Sequence, residues 1–448
     1  MGISVLCVYS CSSGKDDPPA ETTYSLAFGR TNYLMLENGT LQLKIRKVAN
    51  TSTQTDTTWY NTTTNPDKLT YSLADATVMT VDAKGFLTAK KIGSSKISIK
   101  SEDGKLSAST TVSVVKGYSI KSVESKLNTN MLFSKGIYLV RNTVIQGFDI
   151  DSKGTIFYDQ LGGGLPQYVF VVRGDANKNY TDYMQLKYFG HGTNIAVEED
   201  GDDRYIWITS NGTKGSDGEY GSSQTISRFE YIPGAIMEKY TEETYYLKNK
   251  YNIHPALDVK NNVLAITTSG AGDPKRYFYF YKLNEAKALP YTNATLTSIK
   301  FGGESDGIPE QTEIRTLKVK DLGSLTPIAS FSVDPGESNE KFNYYDFQGF
   351  DVDNGYLYFY EGTGNDNTGV LPSIAFVTVL DLNGNILYGR TNVKAISSIP
   401  DLNSFHITAT GYMEPEGIKM ENGILYCGFA SKSTDDKRRA NIFKYTVN

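Results

Sequence analysis

Cysteine, histidine and tryptophan are scarce in this chain, and long apolar runs are missing. The 448 residues include only 3 cysteines, 3 histidines and 2 tryptophans. Three cysteines cannot form a disulfide framework, and their spacing does not suit a cysteine-based zinc site. No apolar run reaches the roughly 18 residues that a membrane-spanning helix requires. The net charge of −5 argues against a nucleic acid as the partner.

Aromatic residues and glycine are abundant by contrast, with 32 tyrosines, 20 phenylalanines and 41 glycines. They occur in short runs rich in Val, Ile, Thr, Tyr and Phe, separated by Gly, Asn and Asp. Such runs are typical of β-strands joined by tight turns. The sequence therefore predicts an all-β protein that is long enough for more than one domain.

The start of the chain resembles the signal sequence of a bacterial lipoprotein. An apolar segment at residues 3–10 ends in a small residue directly before Cys11. The acidic stretch at residues 12–17 is similar to the export signal of surface lipoproteins of the Bacteroidetes. The resemblance predicts a lipidated Cys11, with residues 1–20 as signal and tether, on the outer membrane surface. An ordinary cleaved signal peptide is the alternative.

Residues 21–117 form a separate predicted domain. Their apolar and polar residues alternate with period two, as in half-buried antiparallel strands. Residues 78–89 (VMTVDAKGFLTA) resemble bacterial Ig-like domains of group 2. That resemblance implies a β-sandwich that acts as a spacer, with Trp59 as a core aromatic residue.

Five degenerate copies of one hairpin occupy residues 118–448. Each copy has a polar residue, an inner strand, a turn and a second strand, and the copies begin at Gln146, His191, His254, Gln348 and Glu416. We call these five the mouth residues. The intervals have room for two more strands each, among them residues 238–241 after His191 and 313–319 after His254. Four strands in each unit predict a five-bladed β-propeller, with six blades as the alternative.

Two irregular intervals complete this prediction. The last copy lacks one strand, which residues 131–140 are expected to supply, so that the ring closes without a long exposed edge. The longest interval, from His254 to Gln348, is expected to hold an inserted loop around residues 292–310.

The mouth residues precede strands that should line the central channel of the propeller. We therefore expect them to converge at one mouth of the channel and to bind a ligand there. The alternative is that they only join neighbouring blades. Two imidazoles and a carboxylate are possible metal ligands, but the two amides are poor ones, so a glycan or water is preferred over a metal.

Short motifs of the repeat resemble one known propeller family. Gln146-Gly147-Phe148-Asp149, Gly190-His191-Gly192 and the strand of Trp207 are similar to the family that includes the bacteriocin helveticin J and the so-called teichoic acid biosynthesis protein C. The resemblance implies the five-bladed fold. It implies no settled activity.

The remaining candidates are weaker. Asp149, Asp258 and Asp351 recur in the hairpin, which favours a structural role over a catalytic carboxylate pair. The acidic stretches 198–203 and 175–182 predict solvated turns, with calcium as the alternative. Cys427 is expected to be buried and His406 to lie on the surface, and motifs of nucleophilic or phosphate-binding enzymes are missing.

These features together predict a monomeric surface lipoprotein. Its Ig-like domain is a spacer, and its propeller binds an extracellular glycan or surface protein without a cofactor. The membrane is contacted only through the lipid anchor. A glycan-processing enzyme acting at the channel mouth and a bacteriocin-like effector are the alternatives, and the sequence favours binding over catalysis.

Overall fold

The computed structural model describes the chain from residue 22 to residue 447 with several gaps. The described residues are 22–30, 32–50, 55–60, 68–127, 132–162, 168–174, 180–215, 220–241, 243–270, 272–303, 307–364, 373–393, 407, 413–433, 435 and 437–447. Cys11, the signal segment and His406 lie outside them, as does most of the stretch 175–182.

The N-terminal part of the chain forms three small sheets. One contains β1 (Thr23–Phe28), β4 (Ile45–Asn50) and β5 (Thr55–Tyr60); the second contains β2 (Asn32–Leu36), β6 (Thr70–Leu73), β9 (Gly93–Lys100) and β10 (Ser107–Val115); the third contains β3 (Thr40–Gln42), β7 (Met79–Val81) and β8 (Phe86–Ala89). Alternate side chains of these strands point into one shared apolar core, which includes Met79, Leu87, Ile97 and Val112.

Trp59 is not part of this core, contrary to the prediction. It lies on β5 at the edge of its sheet with 52% of its surface exposed. The guanidinium of Arg46 on the adjacent strand lies 5.7 Å from the centre of its ring. Among the described strands, β5 pairs only with β4, so it is an edge strand of its sheet. The assignment of this region as an Ig-like domain stays a prediction.

A short helix leads from the N-terminal region to the propeller. Helix α1 (Ile120–Leu127) buries Val123 and Leu127 against the last two sheets. Ser122 donates a hydrogen bond to the carbonyl of Val447 at 2.9 Å. Arg30, from the N-terminal region, donates to Asn383 at 3.0 Å. The two regions therefore contact each other through specific polar groups.

Five further sheets are formed by the described residues of 132–447. We number them in the order of the mouth residues along the chain. The first holds β12 (Ile145–Ile150), β13 (Ile156–Leu161), β14 (Tyr168–Gly174), β15 (Tyr180–Lys187) and β19 (Ile236–Glu238). The second holds β16 (Ala196–Asp200), β17 (Asp203–Thr213), β18 (Ser222–Glu230), β20 (Thr244–Tyr246), β25 (Ile308–Asp321) and β24 (Tyr291–Gly303).

The other three sheets have four strands each. The third holds β21 (Lys250–Asp258), β22 (Val263–Gly270), β23 (Asp273–Lys282) and β26 (Ala329–Val333), with helix α2 (Leu283–Lys287) after β23. The fourth holds β27 (Asp346–Asp353), β28 (Tyr356–Thr363), β29 (Ile374–Asp381) and β30 (Ile386–Asn392). The fifth holds β31 (Glu414–Glu421), β32 (Ile424–Lys432), β33 (Arg438–Thr446) and β11 (Leu132–Tyr138).

The innermost strands of these sheets form a closed ring. Strand β12 contacts β16, β16 contacts β21, β21 contacts β27, β27 contacts β31, and β31 contacts β12 again. This radial arrangement is a β-propeller, as predicted. The predicted closure is also confirmed, because β11 comes from before the first sheet and pairs with β33 in the last one. Within the described residues, neither helix is long or apolar enough to cross a membrane.

Several outer strands differ from the prediction. The segment around 292–310 is a long hairpin, β24 and β25, rather than a loop, and it extends the second sheet. The strand at 313–319, expected in the third sheet, is part of this hairpin, and β26 is the fourth strand of the third sheet instead. The prediction of a strand at 238–241 in the second sheet is also wrong. Strand β19 joins the first sheet in parallel, and β20 takes its place in the second. Their sequences alternate as strands do, but the pairing partner depends on tertiary packing.

Candidate ligand-binding site

The mouth residues of the first, fourth and fifth sheets meet through the glycines that follow them. A side chain at Gly417 would lie 3.0 Å from the backbone of Gly147, and one at Gly349 would lie 3.3 Å from that of Gly417. No side chain fits between strands that approach so closely, so glycine is required at these positions. The preceding residues Gln146 and Gln348 are consequently drawn to one end of the propeller axis.

Asn194 of the second sheet fills the centre of this ring. Its Nδ2 donates to the carbonyl of Pro255 in the third sheet at 2.6 Å, and its Oδ1 accepts from the amide of Phe350 in the fourth sheet at 3.1 Å. It also lies against Gly147 of the first sheet. The amide side chain therefore joins the second sheet to the third and the fourth, while the backbone of Asn194 packs on the first. No repeat signal marks this residue, because the other copies have no asparagine there.

Four of the five mouth residues are buried: Gln146, His254, Gln348 and Glu416 are each 4–6% exposed. Gln348 donates to the carbonyl of Gly362 at 3.3 Å and also bonds the carboxyl of Glu414. His191 is half-buried. The structure thus places the predicted residues at one end of the axis, while their role in ligand binding stays a prediction.

The two histidines do not occupy the position of the glutamines. Gln146 and Gln348 lie at β-bulges directly before a paired glycine. His254 is itself paired in the ladder, after a bulge between Tyr251 and His254. His191 precedes its strand by several residues, because the chain makes a detour through the left-handed conformations of Gly192 and Thr193, with φ of 98° and 63°. The assumption that all five mouth residues occupy equivalent positions in their copies is therefore wrong for the two histidines.

Asp159, which the sequence analysis missed, explains this detour. It lies on the second strand of the first sheet, opposite Gly147, and is 0% exposed. Its Oδ2 would be 1.8 Å from a side chain at Gly192, so only glycine leaves room for the carboxyl group. The backbone amides of Gly147 and Asp159 lie near the carboxyl group, but neither of its oxygens forms a hydrogen bond of good geometry with a described residue. At the matching position of the fourth sheet, opposite Gly349, the chain has Tyr360 instead.

Acidic side chains gather on the first and fifth sheets at this mouth. Burial raises the pKa of Asp159 well above its usual range. Burial, with the negative charges of Glu414 and Asp159, does the same to the pKa of Glu416. The pKa of Glu414 is raised as well, chiefly by burial. Proximity of like charges in a buried place favours the protonated acids. This side of the mouth thus holds carboxyl groups that favour their protonated, neutral form.

Basic side chains gather on the second and third sheets. Burial lowers the pKa of His254 to about 3, and the charges of Arg276 and His191 act in the same direction. His254 hydrogen-bonds the backbone of Gly192, while its Nδ1 has no partner among the described residues. Phe347 contacts both of these basic side chains: its ring centre is 5.9 Å from that of His254 and 3.9 Å from the Arg276 guanidinium carbon.

The recurring aspartates join neighbouring sheets. Asp149 accepts from the amide of Val197, and Asp351 accepts from that of Met420, both at 2.7 Å. Asp258 accepts from the amide of Asn354 at 2.7 Å. Each bond runs from one sheet to the next, so the predicted structural role is confirmed, although it lies between sheets as well as in the turns.

The other predicted residues also have structural partners. Cys427 is fully buried, as expected, and burial raises its thiol pKa. Glu198 does not belong to a solvated turn, because it accepts from Trp207 at 2.9 Å and from Arg228 at 2.7 Å and is 4% exposed. In the part of the chain that the structure describes, no cluster of three or more His, Cys, Asp or Glu side chains could hold a metal ion.

Comparison with known proteins gives one sequence relative. The chain is 28% identical over 302 residues to a Bacillus subtilis (strain 168) protein named "Putative major teichoic acid biosynthesis protein C". The match covers 65% of this chain and 55% of that protein, so the chain spans little more than half of its relative. No family model matches the sequence.

Solved structures show distant likeness. The tail fiber of Staphylococcus aureus phage P68 has a TM-score of 0.46 at 15% identity, covering 73% of this chain and 56% of that one. A complex of BT0996 and RGII has 0.34 at 10% identity, covering 73% and 96%. A thermostable family-43 glycoside hydrolase has 0.33 at 9% identity, covering 70% and 92%. At these scores the likeness supports no conclusion about function.

Proposed function

We propose that the propeller binds an extracellular glycan at the mouth lined by Gln146, His191, His254, Gln348 and Glu416. The observation that supports this most is that both oxygens of Asp159 and Nδ1 of His254 are buried and form no hydrogen bond of good geometry with the residues that the structure describes. A buried polar atom that forms no hydrogen bond costs about 1–3 kcal/mol, so such atoms are rare without a function. The hydroxyl groups of a sugar both donate and accept, and they would satisfy these atoms.

Glycan-array binding tests this proposal. We expect the full chain to bind a restricted set of glycans, and His191→Ala and His254→Ala to weaken that binding. Lys153→Ala is the control, because Lys153 lies in the turn at the opposite end of the first sheet and is exposed. If both histidine variants bind as the wild type does, the mouth residues have only a structural role.

A glycan-cleaving enzyme is the second candidate, and one observation favours it. Asp159 and Glu416 are buried carboxyl groups that interact with each other, and enzymes that hydrolyse glycosidic bonds use two carboxyl groups of different protonation. Chromatography of the bound glycans after incubation would detect new reducing ends. The activity should disappear in Glu416→Gln and Asp159→Asn. Intact glycans after prolonged incubation with the wild type would exclude it.

We further propose that the protein is a surface lipoprotein anchored through Cys11, with the N-terminal region as its spacer. The support is the apolar segment before Cys11 and the acidic stretch after it. Cys11→Ser should move the protein from the membrane fraction to the soluble one, and the acyl chains should be lost from its mass spectrum. Membrane association of the variant would contradict the proposal.

A further inference from the structure

Arginine side chains that stack on aromatic rings recur around the propeller. The guanidinium carbon lies 3.7–4.0 Å from the ring centre in four of them: Arg228 over Tyr205, Arg276 over Phe347, Arg390 over Phe376 and Arg439 over Tyr138. Stacking orients the planar guanidinium and leaves its edge free to bind a carboxylate in two places.

Three of these four arginines have such a carboxylate within the protein. Arg228 is 2.7 Å from Glu198, Arg390 is 2.7 Å from Glu361, and Arg439 is 2.5 Å from Asp435. Arg276 differs. No described carboxylate forms an ion pair with it, and its Nε is buried without a hydrogen-bond partner.

The surroundings of Arg276 do not compensate its charge. Burial alone lowers its pKa, to about 10, and no acidic neighbour among the described residues opposes that effect. The charged groups that act on the adjacent His254 are Arg276 and His191, and both act as positive charges. The Arg276 side chain is partly exposed at the mouth, and only its Nε is fully buried. A largely desolvated charge without a counterion is costly, so a counterion from outside the chain can reach this guanidinium and would be bound favourably.

His254 adds a second contact beside this cation. Because it hydrogen-bonds the backbone of Gly192 and favours its neutral form, its Nδ1 is left to interact with a ligand. A hydroxyl group can donate to that nitrogen while an anionic group of the same molecule pairs with Arg276. Asp159 and Glu416, on the far side, favour their protonated forms and so do not repel an anion.

We propose that Arg276, with His254 beside it, forms a subsite for the anionic group of an acidic sugar. This inference rests on the proposed glycan binding and narrows it: the glycan recognised at this mouth carries a carboxylate or a phosphate next to free hydroxyl groups. Neutral sugars lack the counterion that the guanidinium requires.

Thermal unfolding of the full chain tests the subsite. The probes are glucuronate, glucose 1-phosphate, glucose and inorganic phosphate, each titrated at constant ionic strength, because added salt alone screens charges. We expect the acidic sugars to raise the unfolding temperature at concentrations where glucose does not. A response to glucuronate alone assigns a carboxylate, and a response to glucose 1-phosphate alone assigns a phosphate.

Two variants show whether Arg276 is responsible. Arg276→Gln should weaken binding of the acidic sugar roughly tenfold or more, since a charge-assisted hydrogen bond is lost, and its unliganded unfolding temperature should not fall. Arg439→Gln is the matched control, because that arginine is also stacked but has its own carboxylate; it should bind the acidic sugar as the wild type does. Arg276→Lys keeps the charge and should retain part of the affinity.

The outcomes separate this inference from the proposed function. Equal binding of glucuronate and glucose, or wild-type affinity in Arg276→Gln, overturns the subsite and leaves glycan binding intact. A response to inorganic phosphate as strong as to either acidic sugar also overturns it, because the hydroxyl contact at His254 would then contribute nothing. If neither acidic nor neutral glycans bind, on the array or here, both proposals fail.

Discussion

Replacing Lys419 should destabilise the propeller strongly, because this lysine neutralises two buried carboxylates at the axis. Its Nζ lies 3.0 Å from Asp149 and 3.5 Å from Asp351, and all three side chains are less than one tenth exposed. The remaining oxygens of the two aspartates already accept backbone amides of neighbouring sheets. In Lys419→Met, the two carboxyl groups would remain buried with no cation between them.

The expected loss of unfolding free energy follows from the burial of Lys419, Asp149 and Asp351 together. Removing one partner of a buried ion pair typically costs about 3–5 kcal/mol, and here a single substitution breaks two contacts. We therefore expect Lys419→Met to lower the free energy of unfolding by about 4 kcal/mol at pH 7.5. Lys153→Met is the control: Lys153 is also near an aspartate, at 3.4 Å, but both side chains are exposed, so its stability should equal that of the wild type.

Equilibrium unfolding in urea measures this effect. Trp207 is fully buried in the second sheet and Trp59 is half-exposed in the N-terminal region, so the change in tryptophan emission reports mainly on the propeller. Adding Asp351→Asn to Lys419→Met should restore part of the stability, since one buried charge is removed while an oxygen still accepts the backbone amide.

Lowering the pH should also reduce the loss of unfolding free energy that Lys419→Met causes. Burial raises the pKa of Asp351, and the charge of Lys419, together with the backbone amide of Met420, opposes that rise. Without Lys419, Asp351 keeps its proton to a higher pH, so the difference between variant and wild type should shrink from pH 7.5 to pH 5. A cost that is the same as in Lys153→Met, or that grows on acidification, would refute the electrostatic role of Lys419.

Three further substitutions test other parts of the ring. Asn194→Ala should lower the unfolding free energy by about 2–4 kcal/mol in the same urea assay, because two backbone groups of neighbouring sheets lose their partner. Asp353→Asn should stabilise the protein at pH 7.5 but not at pH 4. Burial raises the Asp353 pKa to about 6, so the wild type loses stability as pH rises from about 4 to about 6, by up to about 3 kcal/mol. Gly192→Ala should lower the melting temperature, and Asp159→Ala should relieve part of that loss by removing the clash with the carboxyl group.

Much of the architecture could be predicted because the hairpin repeats. A polar residue, an alternating strand and a tight turn containing Gly or Asn are local signals, and five copies of them identify the innermost strands. The strand that closes the ring could be predicted because the last copy has one strand fewer than the others. Strands β24 and β25 alternate in the same way, but nothing local says which sheet they join. Their placement therefore required the structure.

The candidate site was only partly predictable for a related reason. The mouth residues were found by their position in the repeat, whereas Asp159 and Arg276 lie on second and third strands, which the repeat hardly constrains. Asp159 did leave a signal, a carboxyl group in the apolar run Ile156-Phe157-Tyr158-Asp159. Arg276 has no such local signal, because whether an arginine has a carboxylate partner depends on residues far away in the sequence.

If the mouth binds a glycan as proposed, its specificity should come from the positions where the repeat is broken. Asp159 stands where the fourth sheet has Tyr360, and it forces the detour that carries His191 away from the position of the glutamines. Arg276 keeps the aromatic stacking of the other arginines without their carboxylate. The recurring aspartates, which follow the repeat, are occupied by bonds between sheets and have little left for a ligand. Among the described residues, the buried polar atoms of Asp159, His254 and Arg276 that lack a hydrogen bond lie where one sheet departs from the others, and those departures meet at the same mouth.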